Sequence, residues 1–336
     1  MTLKAPFPWF GGKSTIATEI WARLGDPANY VEPFFGSGAV LLSRPGKPRV
    51  ESVNDKDRFV ANFWRAVQRD PEAVVAWMDW PVNEVDLTAR HLWLLTTGAE
   101  RIARCDGDPA FFDAQTAGWW CWGACSWIGS GWCSGNGPWT WDDGCWAKGD
   151  AGQGINRQLP HLGNAGQGIN RQRPLMPWIQ DLADRLRRVR VCSGDWSRVC
   201  GDSVTWRHGT TGVFLDPPYA DTAGRTADLY SQDSCTVAHD AREWAIEAGR
   251  NPLMRIAFAG YDGEHVFPSD WTAWRWKATG GFGNQGEGAG RDNAERETVW
   301  FSPACLSADQ ADLFALPPAE DPAEARLRDL FAEPEA

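Results

Sequence analysis

The sequence predicts an α/β fold: a Rossmann-like, doubly wound sheet of mostly parallel strands, interrupted by one large insertion. Three observations predict it. In the first 65 residues short apolar runs alternate with helically spaced segments. The same alternation returns from residue 188. Between the two lies a stretch of quite different composition.

The elements follow in order. Ser14 to Leu24 carries Ile16, Ile20 and Leu24 at helical spacing, with Ser14 as its expected N-cap. Tyr30-Val31 leads into a strand that closes at Glu32-Pro33. A glycine-bearing turn follows, then the apolar start of a helix, Ala39 to Leu42. Val50 to Val53 reads as a second strand, with a helix from Asp57 through Phe63 and Trp64. Residues 66–115 read as helical. Trp119 to Trp146 is rich in Trp, Gly and Cys with little periodicity, and is expected to be loop-rich. The octet AGQGINRQ at Ala151–Gln158 recurs at Ala165–Gln172, far short of a solenoid. It predicts two similar loops, each setting an arginine (Arg157, Arg171) beside an asparagine. Strands resume at Val189–Cys192, Gly212–Leu215, Leu253–Ala259 and Glu297–Phe301, with a helix at Arg242–Gly249. The expected organisation is a discontinuous core, 1–65 and 188–306, an inserted subdomain, 66–187, and a solvated acidic tail, 307–336.

Composition narrows the class. The 336 residues are 43% hydrophobic and 23% charged, which excludes disordered and collagenous chains. No run approaches a membrane span, and MTLKAPFPWFGGK lacks the apolar core of a signal peptide. Both point to a reducing cytoplasm, in a bacterial cell or one hosting a virus or mobile element. The nine Cys are there read as free thiols or metal ligands. Net charge is −11, yet it is segregated. The tail from 307 holds eight acids against Arg326 and Arg328, whereas 151–210 holds nine Arg against four Asp. An acidic total therefore leaves nucleic acid open as a partner. The 22 Trp exceed what ordinary core packing needs.

Two nucleotide motifs fail on inspection. Gly12-Lys13-Ser14 resembles the end of a phosphate-cradling loop, but the required upstream glycine is Phe7. Gly36-Ser37-Gly38 resembles a dinucleotide fingerprint, but its third glycine position holds Leu41. The strongest signal is Asp216-Pro217-Pro218-Tyr219, directly after the apolar strand GVFL. Open α/β sheets bind ligands at the carboxyl ends of their strands, so this quartet is placed at the mouth of a pocket. Its chemistry suits an exocyclic amino group, a poor nucleophile whose lone pair is delocalised into its ring. The Asp216 carboxylate and the Pro217 carbonyl offer two acceptors for its hydrogens. Proline fixes the backbone and removes a competing N–H, and Tyr219 offers a stacking face. The plainer reading is a proline-stiffened turn with a capping Asp.

Three further elements accompany it: Phe7-Pro-Trp-Phe-Gly-Gly-Lys13, Tyr30-Val-Glu-Pro-Phe-Phe-Gly-Ser-Gly38, and Asn54-Asp55 after the second strand. In this order the four elements resemble the DNA adenine methylase (Dam-like) family of N6-adenine methyltransferases. The resemblance spans about 1–65 and 188–235, weakens over 250–306, and is nearly absent from the insertion. It implies an S-adenosylmethionine-dependent methyltransferase fold with an inserted target-recognition subdomain, and double-stranded DNA as the substrate. The implied cofactor-binding residues are Trp9, Gly12, Lys13, Glu32, Pro33, Phe34, Gly36, Gly38, Asp55, Asp195, Trp196 and Asp216. Lys13 is implied to face the methionine end of the cofactor, Asp55 the ribose, and Asp195-Trp196 the adenine. Asp216 is implied as the catalytic acid, with Pro217, Pro218 and Tyr219 completing the motif. Phe10 stands where the family often has Ala, which unsettles the fit around Trp9. Plainer readings also exist: Trp9 as core, Lys13 as a solvated helix start, Asp55 as a helix cap and Asp195 as a turn residue.

Within the insertion, Cys121, Cys125, Cys133 and Cys145 lack a C-x2-C knuckle, and buried thiols are expected over zinc. Its tryptophans are read as packing, with a wedge into the gap left by a flipped base as the sharper alternative. Arg157, Arg171, Arg173 and Arg188, with the rest of the Arg185–Arg190 cluster, are candidates for the phosphate backbone. A solvated helix face is the plainer reading of Arg185, Arg187 and Arg188. Asn156 and Asn170 are candidates to read adenine edges. RNA adenine, an amino nitrogen such as cytosine N4, and a catalytically silent DNA-binding protein stay open as alternatives. Recognition sequence and oligomeric state are not encoded legibly, and no nuclease-like motif suggests a restriction partner.

Overall fold

A computed structural model describes residues 3–9, 11–108, 110–128, 132–133, 139–142, 145–148, 154–155, 174–218, 236–276 and 297–307. Phe10, Asn156, Arg157, Asn170, Arg171, Arg173, Tyr219, the repeat apart from 154–155, and the tail beyond 307 lie outside them.

Seven strands form one sheet: β1 (Asn29–Glu32), β2 (Val50–Asp55), β3 (Arg190–Ser193), β4 (Thr211–Leu215), β5 (Met254–Tyr261), β6 (Thr272–Arg275) and β7 (Glu297–Phe301). Their spatial order is 3-2-1-4-5-7-6. Strands β1 to β5 are parallel, and β7 runs antiparallel to both β5 and β6. The first five thus follow the doubly wound order, which reverses between β1 and β4. At such a reversal the connecting segments part to opposite faces and leave a crevice outside the strand ends. Among the described residues no strand of this sheet comes from 66–187.

Both faces are covered, which is why the central strands are apolar on both sides. Alternate residues of β4 go to opposite cores: Phe214 to one, Val213 and Leu215 to the other. The second core is closed by helix α9 (Val237–Ala248) through Ala241 and Ala245. The first holds α1 (Ala17–Leu24), α2 (Ala39–Leu42) and α3 (Arg58–Arg69), and continues without a break into α4 (Pro71–Met78), α7 (Ala114–Ser126) and α8 (Leu175–Leu186). Helices α5 (Glu84–Trp93) and α6 (Ala99–Ile102) complete the layer.

Several sequence expectations shift. Helix α1 begins at Ala17 rather than Ser14, and its N-cap is Ile16 with no side-chain cap; residues 14–16 turn first, Ile16 N–H donating to the Lys13 carbonyl at 3.2 Å. The stretch expected to be loop-rich opens with the 13-residue helix α7, capped by Asp113. Its periodicity is invisible because the helix is apolar nearly all round, as a fully enclosed helix must be. Trp120, Trp122 and Trp127 are buried, and Trp119 and Trp132 pack half-buried against the same cores. In this fold these five tryptophans serve packing. Cys121, Cys125 and Cys133 are buried free thiols. Two antiparallel pairs, 139–142 with 145–148 and 127–128 with 154–155, stand beside α7 in sequence.

Arg185 is neither a solvated face nor a phosphate contact. It donates to both carboxylate oxygens of the buried Glu51, at 2.7 and 2.9 Å, and to the Leu41 carbonyl. Arg44 shares Glu51 at 3.0 Å. Two guanidiniums around one acid offset its desolvation and bolt α8 to β2. Trp178 of α8 likewise donates to the Lys4 carbonyl at 3.1 Å.

Candidate active site

A cleft opens at the carboxyl ends of β1, β2 and β4, at the sheet's reversal point. Its floor is the turn Pro33–Gly38 that links β1 to α2. Gly36 and Gly38 have φ of +47° and +63°, the left-handed region that strains any residue with a Cβ. A Cβ on Gly36 would lie 2.3 Å from the Trp9 Nε1, and one on Gly38 2.6 Å from the Phe35 ring. The turn is pinned from below: Trp64 Nε1 donates to the Gly36 carbonyl at 2.8 Å, and the Phe35 N–H to the Asn54 carbonyl at 2.9 Å.

Asp55 ends β2 and accepts the Gly36 N–H at 2.8 Å and the Asp57 N–H at 2.9 Å. It does not cap α3; Asp57 does, accepting from Phe59 N–H. Burial, with the Asp57 charge adding to it, lifts Asp55 to about 7 in spite of its backbone donors. Glu32 accepts from the Tyr30 hydroxyl at 2.9 Å. Burial pushes its carboxyl well above the usual range.

Lys13 is 3% exposed, and its Nζ lies 3.0 Å from Asp216 Oδ1. It also donates to the Gly11 carbonyl at 2.8 Å. Burial is the largest influence on the ammonium and acts against it; the carboxylates of Asp216 and Glu297 together outweigh that and hold Lys13 above its ordinary value. Burial likewise raises Asp216, with Lys13 pulling the other way. Trp9, Gly12, Lys13, Glu32, Pro33, Phe34, Gly36, Asp55, Asp195, Trp196, Asp216 and Pro218 all line the cleft. Gly38 sits one step behind, as the N-cap of α2, and Pro217 is buried beneath the rim.

The Asp195 side chain is turned back to cap its own 3-10 turn, accepting from the Ser197 N–H and hydroxyl. These hydrogen bonds hold it below the usual carboxylate range. Trp196 faces Phe34 at 6.1 Å between ring centroids, 26° from parallel. Arg188 is not brought to the cleft. It stands exposed just ahead of β3, at the sheet edge opposite the strand ends.

Sequence reasoning gave Asn54 no role. Its Nδ2 donates to the Pro33 and Gly194 carbonyls at 3.1 and 3.0 Å, tying together the segments that follow β1 and β3. Its Oδ1 is buried without a partner on the cleft wall. Phe214, Lys56 and Val237 also line the cleft. The residues present fit a nucleoside-bearing cofactor. A close-approach glycine turn, a carboxylate after the second strand, an orphaned acceptor and aromatic faces are what ribose and base need.

Residues 9–81 match the model of the D12 class N6 adenine-specific DNA methyltransferase family. Over these residues, about a fifth of its length, the chain is similar to that family. The match takes in Trp9, Lys13, the glycine turn and Asp55, and ends before Asp216. The sheet is consistent with the Rossmann-like fold of such methyltransferases. No curated protein matches the chain significantly. Among the described residues no helix is long and apolar enough to cross a membrane.

Proposed function

We propose that the protein is a site-specific DNA methyltransferase that methylates N6 of an adenine flipped out of double-stranded DNA, using S-adenosylmethionine. One observation carries the reading. The Lys13 ammonium is held 3.0 Å from Asp216 at the cleft rim, so a nitrogen bearing hydrogens already marks the carboxylate oxygen that an exocyclic amine would use.

The amine inside a base stack is out of reach, so the base must leave the helix. S-adenosylmethionine, when bound, supplies an electrophilic methyl group on a positively charged sulfur. Glu32 to Gly38, Asp55 and Trp196 orient the cofactor in the cleft. Asp216 accepts one N6 hydrogen and the Pro217 carbonyl the other, which draws the nitrogen lone pair out of the ring. Transfer of the methyl group to that lone pair would leave the methyl–sulfur electron pair on the departing cofactor. Positive charge grows on N6, and the Asp216 carboxylate stabilises it. The extra proton then leaves N6 for water. Tyr219 stacks on the flipped base. Residues 66–187 act as the target-recognition subdomain, with Arg157, Arg171 and Arg173 on phosphates.

The test is methyl transfer from labelled S-adenosylmethionine to unmodified DNA and to RNA, with the product nucleoside identified after digestion. N6-methyladenine from DNA, absent with Asp216→Ala, is the expected result. Label in RNA or in N4-methylcytosine overturns the substrate. No transfer to any nucleic acid, together with no cofactor binding, overturns catalysis in favour of a silent DNA-binding protein.

A further inference from the structure

The same rim of the sheet carries a buried acid that the chemistry above leaves unused. Glu297 opens β7, far in sequence from every motif, and is 7% exposed. Strand register fixes its place. Leu215 of β4 pairs with Phe258 of β5, and Phe258 with Trp300 of β7. Asp216 is therefore level with Val299, and Glu297, paired with Tyr261, lies two residues further along the same rim. Alternation fixes its side. Phe214, Val299 and Phe301 belong to the first core, so Asp216 and Glu297 share that face of the sheet. Lys13 reaches the same place, and its ammonium is stabilised by both carboxylates.

The arrangement resolves a difficulty in the proposed reaction, on which this inference rests. Asp216 must release Lys13 before it accepts an amino group. A buried ammonium left without a counter-charge is costly, so release requires a second acid within the same enclosure. We propose that Glu297 is a positioning residue of the methyl-transfer centre: it takes the Lys13 ammonium when the target amine takes Asp216.

Glu297 does not touch the reacting atoms in this scheme; it acts through Lys13. Its removal leaves Lys13 on Asp216, which slows the chemical step and spares cofactor binding. The variants are Glu297→Gln, which keeps size and hydrogen bonding, Glu297→Asp, Lys13→Gln, and the double variant Lys13→Gln/Glu297→Gln. They are assayed as full-length protein by single-turnover methyl transfer to DNA, by S-adenosylmethionine affinity and by thermal unfolding.

Glu297→Gln is expected to lower the single-turnover rate at least tenfold with cofactor affinity changed less than twofold, and Glu297→Asp to restore part of the rate. In the Lys13→Gln background, Glu297→Gln is expected to change the residual rate less than twofold. An unchanged rate in Glu297→Gln, or the same tenfold loss in both backgrounds, overturns the proposal. Unfolding midpoints read the pairing without reference to activity. The two substitutions are expected to be non-additive, and additive shifts overturn it. Should the wild type transfer no methyl group to DNA, the functional reading fails by itself, and the midpoints alone decide whether Glu297 holds Lys13.

Discussion

Lys13 in the cleft and Arg90 in the helical layer are both buried cations, yet Lys13 lies between carboxylates whereas Arg90 lies among ring faces. The Arg90 guanidinium sits 4.3 Å from the Trp122 ring centroid, 5.1 Å from Trp119 and 5.2 Å from Trp80. Asp86 is 3.6 Å away, and Arg90 Nη1 is buried without a partner. Burial lowers Arg90 from its ordinary value, with Asp86 opposing, whereas Lys13 ends above its own. The neighbouring His91, between Trp127 and Trp132, is pushed by burial to about 4. Ring faces accept a cation diffusely and offer nothing to exchange it for. Paired acids define a position that another N–H donor can occupy. The helical layer therefore uses its charge for packing, and the cleft keeps its charge available for chemistry.

The largest break in this contrast comes from Asp216→Ala. The carboxylate proposed to meet developing positive charge is gone, so single-turnover methyl transfer should fall by roughly 10³-fold or more, at the upper end for loss of one electrostatic stabiliser. S-adenosylmethionine binding should persist, because the floor of the cleft belongs to β1 and β2. A rate within tenfold of wild type would remove Asp216 from the chemistry.

Gly36→Val strikes the floor instead. Its Cβ would fall 2.3 Å from Trp9 Nε1 at a φ of +47°, so either Trp9 swings away or the turn shifts. Strain of about 1–3 kcal/mol should appear as cofactor affinity weakened roughly tenfold to a hundredfold, read by titration calorimetry. Unaltered affinity would mean that the cofactor does not lie along this turn.

The pH dependence of binding sharpens the comparison further. Asp55 stands at about 7, against an ordinary 3.8. Its carboxylate is disfavoured in the empty fold, so its cost to stability is absent below about pH 4 and grows as pH rises towards 7. In the proposed binding mode a ribose hydroxyl donates to the ionised form. Affinity for S-adenosylmethionine should therefore strengthen about tenfold from pH 6 to pH 8, as one group titrates through 7. Asp55→Asn should bind more weakly and lose that dependence; a slope retained in this variant would assign it to another group.

How far the sequence reveals this architecture depends on whether the signal is local. The strand GVFL and the acid after it, the turn between Glu32 and Gly38, and the strand at 297–301 are legible because apolar runs and turn glycines are local signatures. Helix α7 is not, since Trp, Cys and Ala on every side erase the stripe that marks a helix. Strand β6 is missed for the opposite reason: Thr272–Arg275 is a mostly exposed edge strand with no buried alternation. Arg185 reads as surface until Glu51, distant in sequence, appears beneath it. Glu297 is invisible as a site residue because only the 5-7-6 order of the last strands brings it towards Lys13.

The smallest expected effect lies in the helical layer. Arg90→Met keeps the length of the side chain and its apolar stem among Trp80, Trp119 and Trp122. It forfeits cation–π attraction but relieves a buried N–H that has no acceptor. The two changes oppose each other, leaving a net loss of about 1 kcal/mol and a fall of roughly 2–4 °C in the unfolding midpoint. Single-turnover methyl transfer per folded molecule should be unchanged, since the cation serves packing alone. A slowed rate at unchanged stability would show that the tryptophan cage is coupled to the cleft, and the division between a packing charge and a working charge would no longer hold.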